Sequence, residues 1–107
     1  MNKQYQINPI ELITAEEEIK LVRQAQAGDE EALQKVCDCN RLLVSAMVRK
    51  YEGQGLTSDQ LAKAGIVGLK QAAARYDVNH KWKFSSYAVW FVHHAILDAI
   101  ENGIQNK

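Results

Sequence analysis

No run of apolar residues in this chain approaches the roughly 20 needed to cross a bilayer, which excludes a membrane span. The N-terminal stretch MNKQYQINPIELI lacks the apolar core and small-residue cleavage site of a secretory signal. Together these absences predict a soluble, cytoplasmic protein without a membrane partner. Cysteine is scarce: Cys37 and Cys39 are the only two. Their spacing suits neither a zinc knuckle nor a thioredoxin-like redox pair, and no histidine lies near them in sequence. They read as small helix residues in a reducing compartment. HExxH, a glycine-rich phosphate loop and a Cys–His nucleophile spacing are all missing. Asp77 and His80, three apart in a turn segment, and a grouping of His80, His93 and His94 are weak bases for acid–base or metal chemistry. No enzyme, cofactor or metal is expected.

Charge of one sign is also missing, since 13 Lys and Arg balance 13 Asp and Glu. Such neutrality argues against a nucleic-acid partner until the chain is divided. Residues 1–40 carry four basic and eight acidic side chains, residues 41–107 nine and five, and residues 41–83 eight and three. An acidic flank beside a basic face produces this asymmetry, and so does an ordinary solvated surface.

What is present is helical patterning. With 107 residues, 47% of them hydrophobic, the chain suffices for one domain with a modest core. No strand alternation and no repeat occurs, so the expected fold is all-α, a bundle of about four helices over residues 12–107 behind a flexible arm at 1–11. Pro9 stops any earlier helix. Thr14 and Glu17 form a capping box ahead of Ile19, Leu21, Val22 and Ala25, and Gly28 ends that helix. Asp29 caps a second helix reaching about Lys50, with Leu33, Val36, Cys37, Leu43, Val44, Met47 and Val48 at helical spacing. A third begins near Thr57 or Ser58 and presents Leu61, Ile66, Leu69 and Ala73. Gly65 and Gly68 inside it mark either a close neighbour or a kink, at about 1 kcal/mol of helix propensity each. Ser85 or Ser86 caps the last helix, and Gly103 stops it.

The densest signal is aromatic. Six of the eight Phe, Tyr and Trp residues fall within residues 76–91: Tyr76, Trp82, Phe84, Tyr87, Trp90 and Phe91. Lys81 and Lys83 are threaded among them. On a helix, Ala88, Phe91, Ala95 and Ala99 form one stripe, with Val92, Ile96 and Ile100 beside it and Tyr87, Trp90 and His94 on a neighbouring stripe. Rings interleaved with cations and hydroxyls suit single-stranded nucleic acid, the rings stacking on bases and the lysines attracting phosphates. Rings that merely pack a core fit the composition equally well.

The segments NRLLVSAMVRKY, GIVGL and ARYDVNHKWKFSSYAVWF resemble, without a gap, region 2 of bacterial sigma-70 family factors, the RNA polymerase subunits that open promoters. LITAEEEIKLVRQAQAGDEEAL is similar to the stretch preceding that region, part of region 1.2. The resemblance implies binding to core RNA polymerase, to the single-stranded −10 region of promoter DNA, and to an anti-sigma regulator. It places an adenine pocket at Tyr76, Trp82, Phe84, Ser86 and Tyr87 with Lys83 nearby, and a thymine pocket at Asn40 and Ser85. Trp90 and Phe91 would wedge at the upstream edge of the bubble, and Lys81 would attract phosphate.

Departures accompany the matches. The family's acidic and amide-rich third helix, which meets the coiled coil of the largest polymerase subunit, is represented by Asp59, Gln60 and Lys63, with Ala64 and Ile66 replacing polar residues. WFVHH stands for the usual WWIRQ, so His93 replaces an arginine and His94 a glutamine that reads the upstream duplex. Asp98 brings negative charge where a basic residue is common. A divergent adaptor that binds a protein without melting DNA is the alternative reading. The sequence ends at Lys107 ahead of any −35-reading helix-turn-helix, which fits a domain of a longer factor and a stand-alone domain alike.

Overall fold

Five helices follow one another in the computed structural model, which describes residues 14–79 and 83–105. They are α1 (Ala15–Gln26), α2 (Glu30–Cys39), α3 (Arg41–Lys50), α4 (Ser58–Arg75) and α5 (Phe84–Gln105). The described residues contain no strand, so the architecture is all-α. The arm expected at 1–11 lies outside the described residues. No helix among them is long and apolar enough to cross a membrane.

Local chemistry sets most boundaries. At α1 the Thr14 hydroxyl accepts from the Glu17 amide at 3.0 Å, and the Thr14 amide donates to the Glu17 carboxylate at 2.9 Å. Asp29 accepts from the Ala32 amide to start α2. Thr57 and Gln60 repeat the reciprocal box at α4. Gly28, at φ 104°, turns the chain between α1 and α2 in a conformation that other residues rarely adopt.

Three boundaries differ from expectation. The long second helix is two, broken at Asn40, where φ −108° and ψ 19° leave the helical ladder. The Asn40 side chain donates to the Val36 carbonyl at 2.8 Å, competing with the backbone for that acceptor. Neither Ser85 nor Ser86 caps the last helix, because α5 already begins at Phe84. The Lys83 carbonyl accepts from the Tyr87 amide at 3.3 Å, which brings Phe84 into the first turn. Gly103 does not stop α5 either. A Cβ there would lie 3.1 Å from Leu56 Cδ2, so this glycine lets Leu56 approach the helix.

α4 and α5 share the most extensive contact and form the centre of the bundle. Phe84, Ala88, Val92, Ile96 and Ile100 of α5 are buried with Leu61, Leu69, Ala72 and Ala73 of α4, against Val44 and Val48 of α3, Val36 of α2 and Val22 of α1. Gly65 and Gly68 serve this approach. A Cβ at Gly68 would stand 2.5 Å from the Phe91 carbonyl oxygen, and one at Gly65 3.0 Å from Val44 Cγ1.

Candidate nucleic-acid interface

The aromatic residues divide into two layers. Phe84 and Tyr76 are 2% and 3% exposed and belong to the core. Their rings meet edge to face at 5.3 Å and 90°. Tyr87, half-buried, lies 5.4 Å from Tyr76, and Phe91 lies 4.9 Å from Tyr87. Trp90 completes the series 5.2 Å from Phe91 and is 60% exposed. The core pair therefore supports an outer surface made by Tyr87, Phe91 and Trp90, and packing does not account for the outermost ring. Together with Ser86 these three residues line a concave surface of about 530 Å³.

The ends of α4 and α5 fix that surface. α4 stops at Tyr76, which turns extended at ψ 132° and leaves the last carbonyls of the helix without intrahelical partners. Gln26 of α1 donates its amide to the Ala73 and Tyr76 carbonyls at 2.9 and 2.7 Å. The Tyr87 hydroxyl donates to the Arg75 carbonyl at 3.3 Å, which orients its ring. Burial, together with the carboxylates of Glu18 and Asp77, pushes the Tyr76 phenol up, so it stays protonated.

Asn40 is buried at the α2–α3 break, and its amide nitrogen donates to Val36 and, at 3.1 Å, to Glu18. Burial raises the Glu18 carboxyl above the usual range, with the Asn40 bond and the Lys83 charge pulling the other way. Lys83 is exposed, Ser85 half-buried and Ser86 exposed at the start of α5. Lys81 and Trp82 lie outside the described residues. Glu18 is one of three acids, with Glu16 and Glu17, in the first turn of α1. Its position one turn before Val22, the buried residue of α1, was the signal that it faces inward.

On α4, Asp59, Gln60 and Lys63 are all exposed. Asp59 pairs with Lys63 at 3.6 Å, and Gln60 is engaged in its capping box. Val67, 53% exposed, lies one turn further along this helix. A groove between α4 and α5 runs past Val67, Gln71 and Arg75 on one side and Trp90, His94 and Asp98 on the other. His93 points elsewhere, its Nδ1 2.9 Å from the Tyr51 hydroxyl. Cys37 is buried and its thiol is pushed up chiefly by that burial, which keeps it protonated and unreactive.

Comparison with known families agrees with this arrangement. Residues 37–103 match Sigma-70 region 2, and residues 5–31 match Sigma-70 factor, region 1.2. The chain is 38% identical over 95 residues to proteins named RNA polymerase sigma factor SigA from Listeria monocytogenes and Listeria innocua. A Bacillus protein of the same name is 35% identical over 95 residues. Each match covers 89% of this chain and 25% of the relative, so the chain spans about a quarter of the length of the curated relatives it matches. A region 2 match that takes in all of α3, α4 and the aromatic surface, joined to a region 1.2 match over α1, places the chain in the sigma-70 family.

Proposed function

We propose that this domain acts in bacterial transcription initiation, in the cytoplasm, by joining core RNA polymerase and capturing the non-template strand of the promoter −10 element. The observation that carries the proposal is the exposed Trp90 and half-buried Tyr87 and Phe91, held on a helix whose opposite face is core. Single-stranded bases stack on such rings at about 1–3 kcal/mol each, which offsets the few kcal/mol needed to unstack a base. Tyr87, Ser86 and Lys83 supply a ring, a hydroxyl and a cation at one end of α5, with Tyr76 and Phe84 supporting the ring from beneath. Trp90, Phe91 and His94 continue the surface along the helix. Asn40, beside Glu18, is the candidate contact for the second base together with Ser85, while Lys81 and Trp82 complete the set by resemblance alone. The outer face of α4, with Asp59, Gln60 and Lys63, is the candidate contact for the coiled coil of the largest polymerase subunit, and an anti-sigma regulator would compete for the same domain.

Fluorescence anisotropy of a labelled strand bearing a −10-like sequence, against a scrambled strand, tests this proposal with core polymerase present. Preferential binding that is lost in Tyr87→Ala, with the helical signal retained, is the expected result. Equal binding of the two strands defeats the proposal. A second reading has its own support. Lys63 is paired to Asp59 on the α4 face, and Asp98 lines the groove that duplex DNA would approach, where it repels phosphate. Both features favour an adaptor that binds a protein and melts nothing. Polymerase capture by the chain without any strand preference would select that reading.

A further inference from the structure

Trp90 and His94 lie one turn apart on α5, with ring centroids 4.1 Å apart and planes inclined at 48°. This is closer than the 4.9 Å between Tyr87 and Phe91, although both Trp90 and His94 are at the surface. His94 makes no hydrogen bond to another described residue. Its neighbour His93 is half-buried and tied to Tyr51 on the other side of the helix, with the two rings 5.5 Å apart. The two adjacent imidazoles therefore differ in kind: one is anchored, and the other covers an exposed indole beside a groove.

Among the described residues, few charged groups line the groove beside His94. Asp98, one turn further along α5, and Arg75, from α4, line the same groove, with the uncharged Gln71 and Asn102. His93 meets the His94 ring edge-on at 5.4 Å. Asp98 attracts an imidazolium at this position, whereas Arg75 and a protonated His93 oppose it. The indole favours the cationic ring, since its electron-rich face draws a cation. A neutral His94 only packs on Trp90. A protonated one adds a cation and two N–H donors to the rim of the aromatic surface, where Asp98 otherwise makes the field unfavourable to phosphate.

We propose that His94 is a proton-dependent phosphate contact, the imidazolium resting on Trp90 and meeting the backbone of the strand that stacks along α5. The inference rests on reading α5 as a single-strand surface and adds what controls that surface. Strand affinity is higher where the His94 imidazole carries a proton than where it is neutral. The gain is electrostatic and therefore appears in the salt dependence. One further single-strand phosphate contact steepens the log–log salt slope by about 0.7, so a fourfold rise in salt shrinks the pH effect by about 2.6-fold.

With core polymerase present, the test measures strand affinity near pH 6 and near pH 8, each at two salt concentrations, for the wild-type chain and for His94→Gln, His94→Arg and His93→Gln. The expected pattern is tighter binding and a steeper slope at the lower pH in the wild type and in His93→Gln. His94→Gln has neither, and His94→Arg shows the low-pH behaviour at both pH values. A pH effect that persists in His94→Gln, or none in the wild type despite strand binding, overturns the inference and leaves the reading of α5 intact. No strand binding at either pH overturns both. Tryptophan fluorescence without DNA supplies a second readout: quenching on acidification that His94→Gln abolishes supports the ring pair, and its absence refutes it.

Discussion

Gly68→Ala is the sharpest test of how the aromatic helix is held. The new Cβ would lie 2.5 Å from the Phe91 carbonyl oxygen, 2.9 Å from its carbonyl carbon and 2.8 Å from Ala95 Cβ. Comfortable contacts lie near 3.5–4.0 Å, so α4 and α5 must separate by roughly 1 Å. Alanine contributes about 1 kcal/mol of helix propensity in favour of the variant. Against it stands overpacking, typically about 1–3 kcal/mol. The upper end applies because the obstacle is main chain, which no rotamer change can relieve. The net loss is about 2 kcal/mol, or roughly 10 °C in Tm for a domain of this size. Urea unfolding followed by circular dichroism measures it directly. Gly65→Ala is the companion variant. Its Cβ meets Val44 Cγ1 at 3.0 Å, Val92 Cγ1 at 3.5 Å and Ile96 Cδ1 at 3.6 Å, all side-chain atoms able to shift. It should stay within about 1 kcal/mol of the wild type. A Gly68→Ala chain as stable as the wild type would refute the close crossing of α4 and α5.

Glu18→Gln should raise stability at neutral pH. Burial lifts the folded carboxyl of Glu18 above its unfolded value, so its contribution is fully present below the unfolded pKa and lost as pH rises through the folded one. Urea midpoints at neutral and acidic pH should show an advantage of the variant that vanishes on acidification. A less stable variant at neutral pH would mean that the Asn40 bond and the Lys83 charge outweigh burial. Thr57→Ala removes the hydroxyl that accepts from the Gln60 amide at the start of α4 and should cost about 1 kcal/mol by the same unfolding assay. An unchanged midpoint would show that the capping box contributes nothing in solution.

Helix starts governed by three or four consecutive residues were legible in the sequence: Thr14 with Glu17, Asp29 with Ala32, and Thr57 with Gln60. Ends set by tertiary contact were not. Gly103 looked like a terminator, but α5 passes it, and the missing side chain instead leaves room for Leu56 from another segment. The serines at 85 and 86 looked like caps, but burying Phe84 in line with Ala88 and Val92 draws the helix start forward. The break at Asn40 was hidden by apolar spacing that continues through it. A clue was available, since Asn40 falls on the stripe of Val36 and Val44, where a buried amide must find partners. The aromatic cluster was legible as a cluster, but its division into support and surface was not. That division depends on where α4 ends and how α5 returns against it, a relation that no local pattern carries.

The division also bears on how a strand would be held. Tyr87 is braced by Tyr76 beneath, by Phe91 beside it and by its hydroxyl on the Arg75 carbonyl. A ring fixed in this way loses little side-chain freedom when a base stacks on it, so most of the stacking energy survives as affinity. Trp90 has less support, leaning on Phe91 and on the exposed His94. Stacking there would have to order two surface side chains together. The two ends of the surface are thus suited to different tasks. The braced end around Tyr87 has the rigidity that selection of a particular base requires. The end around Trp90 has the exposure that the proposed strand contact with His94 would use.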